Sequence, residues 1–569
     1  MTFSQTPLGK GVQKHPIITL GILCLLLAGV FTQAPTVSFL ATAPLVVALL
    51  TLVCAVGVFP RTNLIITVAL GGILALIWGT CFYFLNAPLP LSLGLVGLSL
   101  LLSIFLLLLY FKKLTPKRGV LLLFAAGFLL RLCYVLYTTV ATRQHDVWFF
   151  SQGDFSVFSN QRHAEYVEYI ATYLKLPVED PTAVGLSQLY HPPFHHLIAG
   201  LWLRLNTAMG VEYTAACENI QLLTLFYSSA IMVITYKILR LLGCKGFSLF
   251  LPLSLVVFHP TFILMAGSVN NDLLSITLAF YAVYATLRWA NQPTIRYIIP
   301  IALAVGFAMM SKLSGGMVAP AIALVFLWKW WESFGKKDGS FQKLFYQFAL
   351  FGILCIPLAL WWQVRNGILF DMPLTYVPAL SENSGQFVGD YTTAQRLWEV
   401  NTHDLNNVFV LWQHQGAPYN EYNCFLALLK SSMFGEFTLF DANSTLSPHP
   451  LGIVACKTMF YTNLALVACS LWATLRVMTK KETRKTPQAW LLFLLLGVLL
   501  VSYLRFCFGY PQTCTQNFRY AVPTLLAGCG LLGVWLNTIN NKFITIGIGC
   551  LAGVFALSTA LCYTLLGLV

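Results

Sequence analysis

Long apolar runs separated by short polar breaks recur along almost the whole chain. Runs close to the roughly 20 residues that cross a bilayer fall near 16–33, 37–58, 63–85, 91–111 and 118–140. More follow near 217–242, 246–266, 272–290, 296–311, 315–332 and 344–364, and the last near 452–477, 488–508, 519–537 and 543–566. They predict an all-α polytopic membrane protein, a helical bundle of about fifteen transmembrane helices. The first run, Ile17 to Phe31, follows Lys10 and Lys14 and lacks a small-residue cleavage site, so it reads as a span. Two long stretches break the rhythm, 141–216 and 365–451, and loops this long are usually functional. Within the first, His163, Tyr166, Val167, Ile170 and Leu174 fall on one helical face, with Glu165, Glu168 and Lys175 on the other. A second pattern, Phe194, Leu197, Ile198, Leu201 and Leu205, follows Pro192-Pro193. Both are too short to span and predict interfacial helices lying on the membrane.

Charge orients this bundle. The chain of 569 residues is 58% hydrophobic and 9% charged, with a net charge of +14 and a mean hydropathy of +0.74. In a soluble protein such a charge would point to nucleic acid. Here it points to basic loops held on the cytoplasmic side of the membrane, and no nucleic-acid partner is expected. With the N-terminus cytoplasmic, Lys112, Lys113, Lys117, Arg118, Lys336, Lys337, Lys480, Lys481, Arg484 and Lys485 all fall in inner loops. Of the 20 acids, all but Glu332, Asp338 and Glu482 then lie on the other face, together with both long loops. The first four spans, residues 1–111, carry few polar residues and end at the basic loop Lys112–Arg118, so they read as an added N-terminal module. The 15 Cys show no metal spacing; most lie in apolar spans, and Cys507 and Cys514 either pair or stay free thiols.

A few polar residues at the rims of the spans could carry chemistry. Asp146, in Arg143-Gln144-His145-Asp146, follows the fifth span and is either a general base or a loop acid paired with Arg143. Asp272, in Asn270-Asn271-Asp272, is either an N-cap or first-turn acid of a helix or one of several polar groups aimed at one cavity. Lys312, in Ser-Lys-Leu-Ser-Gly, and Arg519, in Phe-Arg-Tyr, are outer-face cations that hold a lipid phosphate or snorkel to the interface. Arg131 sits well inside a span and is expected to pair within the bundle. Seven His gather on the outer side: His145, His163, His191, His195, His196, His403 and His414. His191 and His195 have chelating spacing, but two prolines separate them and no HExxH occurs, so sugar or phosphate contact is expected rather than a metal. Walker, GxSxG and strand-linked GxGxxG motifs are absent from the sequence.

In order along the chain stand Arg131, Arg-Gln-His-Asp, His163-Ala-Glu-Tyr166, Tyr190-His191-Pro192-Pro193-Phe194-His195-His196, Asn-Asn-Asp, Ser-Lys-Leu-Ser-Gly and Phe-Arg-Tyr. This order resembles the GT-C membrane glycosyltransferases, in particular the protein O-mannosyltransferase-like family 39 enzymes and the lipid A aminoarabinose transferase. The resemblance covers roughly 118–540, apart from the second long loop, and implies a catalytic GT-C domain over 112–569. It implies transfer of a sugar from a polyprenyl-phosphate donor to a glycan, lipid or protein acceptor on the extracellular or periplasmic face, with inversion and without a cofactor. Asp146 then matches the presumed base and Asp272 the second acid. Lys312 and Arg519 match basic positions near the lipid phosphate. Arg143, His145, His163 and Tyr190, with His191, His195 and Asn271, make up the remaining substrate contacts. His145-Asp146 stands where eukaryotic O-mannosyltransferases have an Asp-Glu pair, which points away from a protein acceptor and towards a bacterial envelope enzyme. A transporter or flippase of lipid-linked glycans is the alternative, but it predicts an inverted repeat and midplane charges. A non-catalytic envelope assembly protein of the same fold is the third reading.

Overall fold

The computed structural model describes residues 72–74, 89–140, 142, 163–178, 180–181, 188–336, 338–378, 380–413, 419–436 and 450–564. The chain is an all-α, multi-pass membrane protein. Nine of its described helices are long and apolar enough to cross a bilayer, and the pair Phe247–Val257 and Pro260–Gly267, bent by 48°, makes a further broken span. His259-Pro260 marks the break, because proline cannot supply the N–H that a continuous helix needs there. Every run from 91–111 onward that the hydropathy pattern predicts has a helix, although Ile295–Ser311 and Pro523–Leu536 are short. The runs 16–33 and 37–58, and nearly all of 63–85, lie outside the described residues.

Packing divides the chain at Cys133/Tyr134 into two compact units. In the first, the helices Leu89–Tyr110 and Pro116–Tyr137 are followed to the boundary, and Arg131 donates from Nη1 to its own helix at the Gly127 carbonyl, 2.8 Å away. The second unit holds everything from Tyr134 onward that concerns the site.

Both expected interfacial helices form, His163–Tyr173 and Phe194–Ala208. Their buried faces differ from the pattern in three places. Leu174 lies just beyond the first helix at φ 52° and is exposed. Glu168 is buried instead of solvated, because Tyr213 donates its hydroxyl to it. In the second helix Leu197, Leu201 and Leu205 face outward, while His195, His196, Ala199, Gly200 and Leu203 pack inward. A Cβ on Gly200 would lie 2.9 Å from Ile170 and from the Val167 carbonyl, so glycine is what lets the two helices touch. The outward leucines leave an apolar stripe on the exposed side of that helix.

The segment 365–451 is no structureless loop. Helices Thr393–Trp398 and Thr402–Asn406 each open with a capping box. A two-residue hairpin pairs Trp412 with Asn420 and Gln413 with Tyr419, and the helix Cys424–Phe434 follows. The segment is tied to the turn after the span Pro487–Gly509: Val388 donates to the Pro511 carbonyl, Thr513 to Gln386, and Arg396 to the Cys507 carbonyl and Gln516. Cys507 and Cys514 are free thiols.

Candidate functional site

The broken span ends in a turn, Ser268 to Asn271, from which the helix Asp272–Asn291 starts. Asp272 stands in the first turn of that helix, as the sequence allows, and is not its cap. Asn271 holds the cap position without a side-chain cap bond, and the Asp272 carboxylate turns to two cations instead. Lys312 donates to its Oδ1, and Arg519 Nη1 lies 4.0 Å from its Oδ2. Asp272 is 2% exposed, so these partners decide whether it can sit there as a carboxylate.

Lys312 is delivered by a break in the chain. The helix Ile295–Ser311 stops, Lys312 is extended, and a 3-10 turn Leu313–Val318 follows. A Cβ on Gly315 would meet the Ser275 hydroxyl at 2.5 Å and the Ala308 backbone at 2.7 Å. Glycine is therefore required for this turn to press against the helix that carries Asp272. Asn271 closes the join from the other side, donating to the Ser311 carbonyl at 2.8 Å. Arg519 comes from a third place. Asn517 accepts the Arg519 N–H at 2.9 Å and starts the short turn Phe518–Tyr520. Arg519 Nη2 also lies 3.4 Å from Glu436 Oε2, so one guanidinium bridges two acids. Both cations sit over the Tyr520 ring, Lys312 at 4.9 Å and Arg519 at 5.2 Å from its centroid.

A stack of imidazoles belongs to the same unit. His163 Nδ1 and His196 Nε2 are 2.9 Å apart, and the His163 ring stacks on His191 and on His196. Tyr166 stacks on His196, and Tyr190 lies against His191. His195 points elsewhere, bonding the Val269 carbonyl at 2.6 Å, just before the Asp272 turn. Burial holds His191 well below the usual histidine range, helped by His163, Lys312 and Arg519. Burial likewise lowers His196, and His195 to about 4. These three rings are neutral at pH 7, so they act as hydrogen-bonding groups rather than as cations.

The structure thus brings Asp272, Lys312 and Arg519 together and places His163, Tyr190 and His191 in one aromatic cluster. Asn271 and His195 are turned to backbone carbonyls that shape the turn. Arg143, His145 and Asp146 lie outside the described residues. Among these no group of three or more His, Cys, Asp or Glu is arranged to hold a metal ion. Glu436 was not foreseen; its only local signal is a Gly-Glu step closing the apolar run 424–434. Asp272, Glu436 and Arg519 line one cavity, about 490 Å³ including its open mouth, which also takes in Ser268, Asn270 and Asn517.

Residues 190–362 match the family model described as dolichyl-phosphate-mannose-protein mannosyltransferase. That matched stretch runs from Tyr190 through the Asp272 turn and Lys312. Among solved structures, a chain of the S. cerevisiae protein O-mannosyltransferase Pmt1-Pmt2 complex bound to the sugar donor aligns at 16% identity with a TM-score of 0.30. That alignment takes in 46% of this chain and 36% of that one, so this chain spans about a third of the relative's length. No curated protein matches the chain. The family segment is what bears on function; the superposition adds nothing to it.

Proposed function

We propose that this protein is a GT-C membrane glycosyltransferase that moves a sugar from a polyprenyl-phosphate donor to an envelope acceptor on the outer face of the membrane. One observation carries the reading. Asp272 and Lys312, both inside the mannosyltransferase-like segment, meet Arg519 from a distant span at the edge of a polar cavity. Two cations held by acids at a membrane rim are a receptor for a lipid phosphate.

In this reading Lys312 and Arg519 hold the phosphate, and Asp272 fixes their direction. The neutral His191, with His163 and Tyr190, donates hydrogen bonds around it, as do Arg143 and His145. The acceptor oxygen attacks the anomeric carbon, and the bond from that carbon to the phosphate oxygen breaks. The acceptor proton passes to Asp146, the general base, and the phosphate leaves with its electron pair. Asp272 is a poor second base, because both of its oxygens face cations. Its part is to preorganise the charge that meets the leaving group.

The test is sugar transfer from a synthetic polyprenyl-phosphate hexose by the purified protein, compared with Asp146→Asn. Transfer lost in the variant supports the reading; no transfer or donor binding by the parent protein refutes it. The outer placement is tested separately with Ser384→Cys and Thr483→Cys in intact cells. An impermeant thiol reagent should label the first and spare the second, and the reverse result would overturn the orientation.

A further inference from the structure

Two asparagines enter the cavity in the same way. Asn270 accepts the Asp272 N–H through Oδ1 at 3.2 Å, and Asn517 accepts the Arg519 N–H through Oδ1 at 2.9 Å. Each is pinned by its oxygen, two residues ahead of a charged group, so the end left to face the cavity is the Nδ2 amide. Among the described residues neither Nδ2 finds a hydrogen-bond partner, and Asn270 and Asn517 are 4% and 6% exposed. Ser268, 4% exposed and lining the same cavity, has a hydroxyl that no described residue engages. Three polar groups that open onto one space without a described partner suit a polar ligand.

The fourth wall is an acid. Gly435 ends the helix Cys424–Phe434 at φ 80°, ψ −159°, a conformation open to glycine, and it leads to Glu436, which lines the cavity together with Asp272. The Glu436 carboxylate bonds Arg519, and a carboxylate has acceptor sites for several donors. Two amide donors, one hydroxyl and one carboxylate around a space are complementary to vicinal hydroxyls, each of which both donates and accepts. A bare phosphate would want donors alone.

We propose that Ser268, Asn270, Asn517 and Glu436 form the pocket that reads the hydroxyls of the transferred sugar, with Glu436 as the specificity-determining acceptor. The pocket lies beside the two cations through Arg519, so one guanidinium touches both the phosphate end and the sugar end of the donor. This rests on the donor reading given above, and it adds that recognition of the sugar separates from recognition of the lipid phosphate.

The experiment measures binding of the full-length protein in nanodiscs to two probes: polyprenyl phosphate, and the same lipid phosphate carrying mannose, glucose or galactose. The parent protein is expected to bind at least one sugar-bearing lipid about tenfold tighter than the bare one, the scale set by a hydrogen bond to a charged group. Glu436→Gln should erase that preference and leave bare-lipid binding within about twofold. Asn517→Asp, which keeps the oxygen that caps Arg519 and removes the amide donor, should weaken the same preference if the first variant fails to fold. A preference unchanged in both variants, or equal binding of bare and sugar-bearing lipids by the parent, overturns the pocket while leaving the donor reading intact. Loss of bare-lipid binding in Glu436→Gln also overturns it, since the acid would then act by aiming Arg519. Binding of neither probe overturns the donor reading and this one together.

Discussion

Two buried networks of acids and cations occur in the same compact unit, and their surroundings set them apart. One is Asp272, Lys312, Arg519 and Glu436. The other is Asp404, Tyr419, Glu421 and Lys430, within the 365–451 segment. In the second, Lys430 donates to Glu421 at 2.6 Å, to the Val410 carbonyl at 3.2 Å and to the Tyr419 oxygen at 3.4 Å, which uses all three ammonium hydrogens. Glu421 also accepts from the Asn423 N–H, and Asp404 from the Asn401 N–H and the Tyr419 hydroxyl. Glu421 and Asp404 are 0% exposed, and burial pushes the Glu421 carboxyl up against the pull of Lys430. The network is closed on itself. The first network borders a cavity, and its neighbours keep polar ends turned into it. Burial of charge alone does not mark function. A saturated network fixes shape, here the hairpin against the helix Cys424–Phe434, while one that borders a cavity can meet a ligand.

The sharpest tests are at the proposed base and at the network that borders the cavity. Asp146→Asn should lower turnover by about 10²–10⁴-fold, as for a positioned base. Asp272→Asn should cost about 10²–10³-fold, as for lost electrostatic preorganisation. Both proteins should stay folded by size-exclusion chromatography and thermal melting. Near-normal turnover in Asp272→Asn would reduce its ion pairs to scaffolding.

The closed network should answer in the opposite way. Lys430→Met leaves Glu421 buried without its cation and should destabilise by about 3–5 kcal/mol. Thermal melting in detergent should report the loss, while turnover per folded molecule stays the same. A large drop in turnover with an unchanged melting temperature would erase the distinction between the two networks.

Acid separates them further. His195 is neutral when folded and takes its proton near pH 4, whereas an unfolded chain takes it near pH 6.5. Unfolding therefore binds a proton in between, and stability present above pH 6.5 is lost as pH falls towards 4. At pH 5 the loss is about 2 kcal/mol for this one ring. His195→Asn should flatten the fall in melting temperature between pH 7 and pH 5, and an unchanged slope would show that the ring does not contribute.

The smallest expected effect is on donor affinity. Lys312→Gln and Arg519→Gln each leave the other cation in place and should raise the donor KM about tenfold, with a lesser change in kcat. An unchanged KM in both variants would assign these cations to holding Asp272 alone.

The bundle was legible because lipid imposes it. A helix that crosses a bilayer must be apolar over its whole length, and this shows at any single run, as in 344–364 or 488–508. The interfacial helices were legible in their position and less so in their faces. Glu168 follows the polar stripe by periodicity, yet Tyr213, 45 residues on, draws it inside. Asp272 shows the same limit. Its place at a helix start predicts a local role, as a cap or in the first turn, and the structure gives it Lys312 and Arg519, partners reachable only once other spans cross nearby.

By itself, then, the sequence determined which segments enter the membrane and which acids and cations stand at their rims, since both follow from the cost of burying charge in lipid. Only the tertiary structure decided that Asn270 rather than Asn271 faces the cavity, and that Glu436 joins Asp272 across Arg519. The physical reason is that an ion pair between distant segments depends on where helices cross and how closely a glycine such as Gly315 lets them approach. No local pattern records that distance.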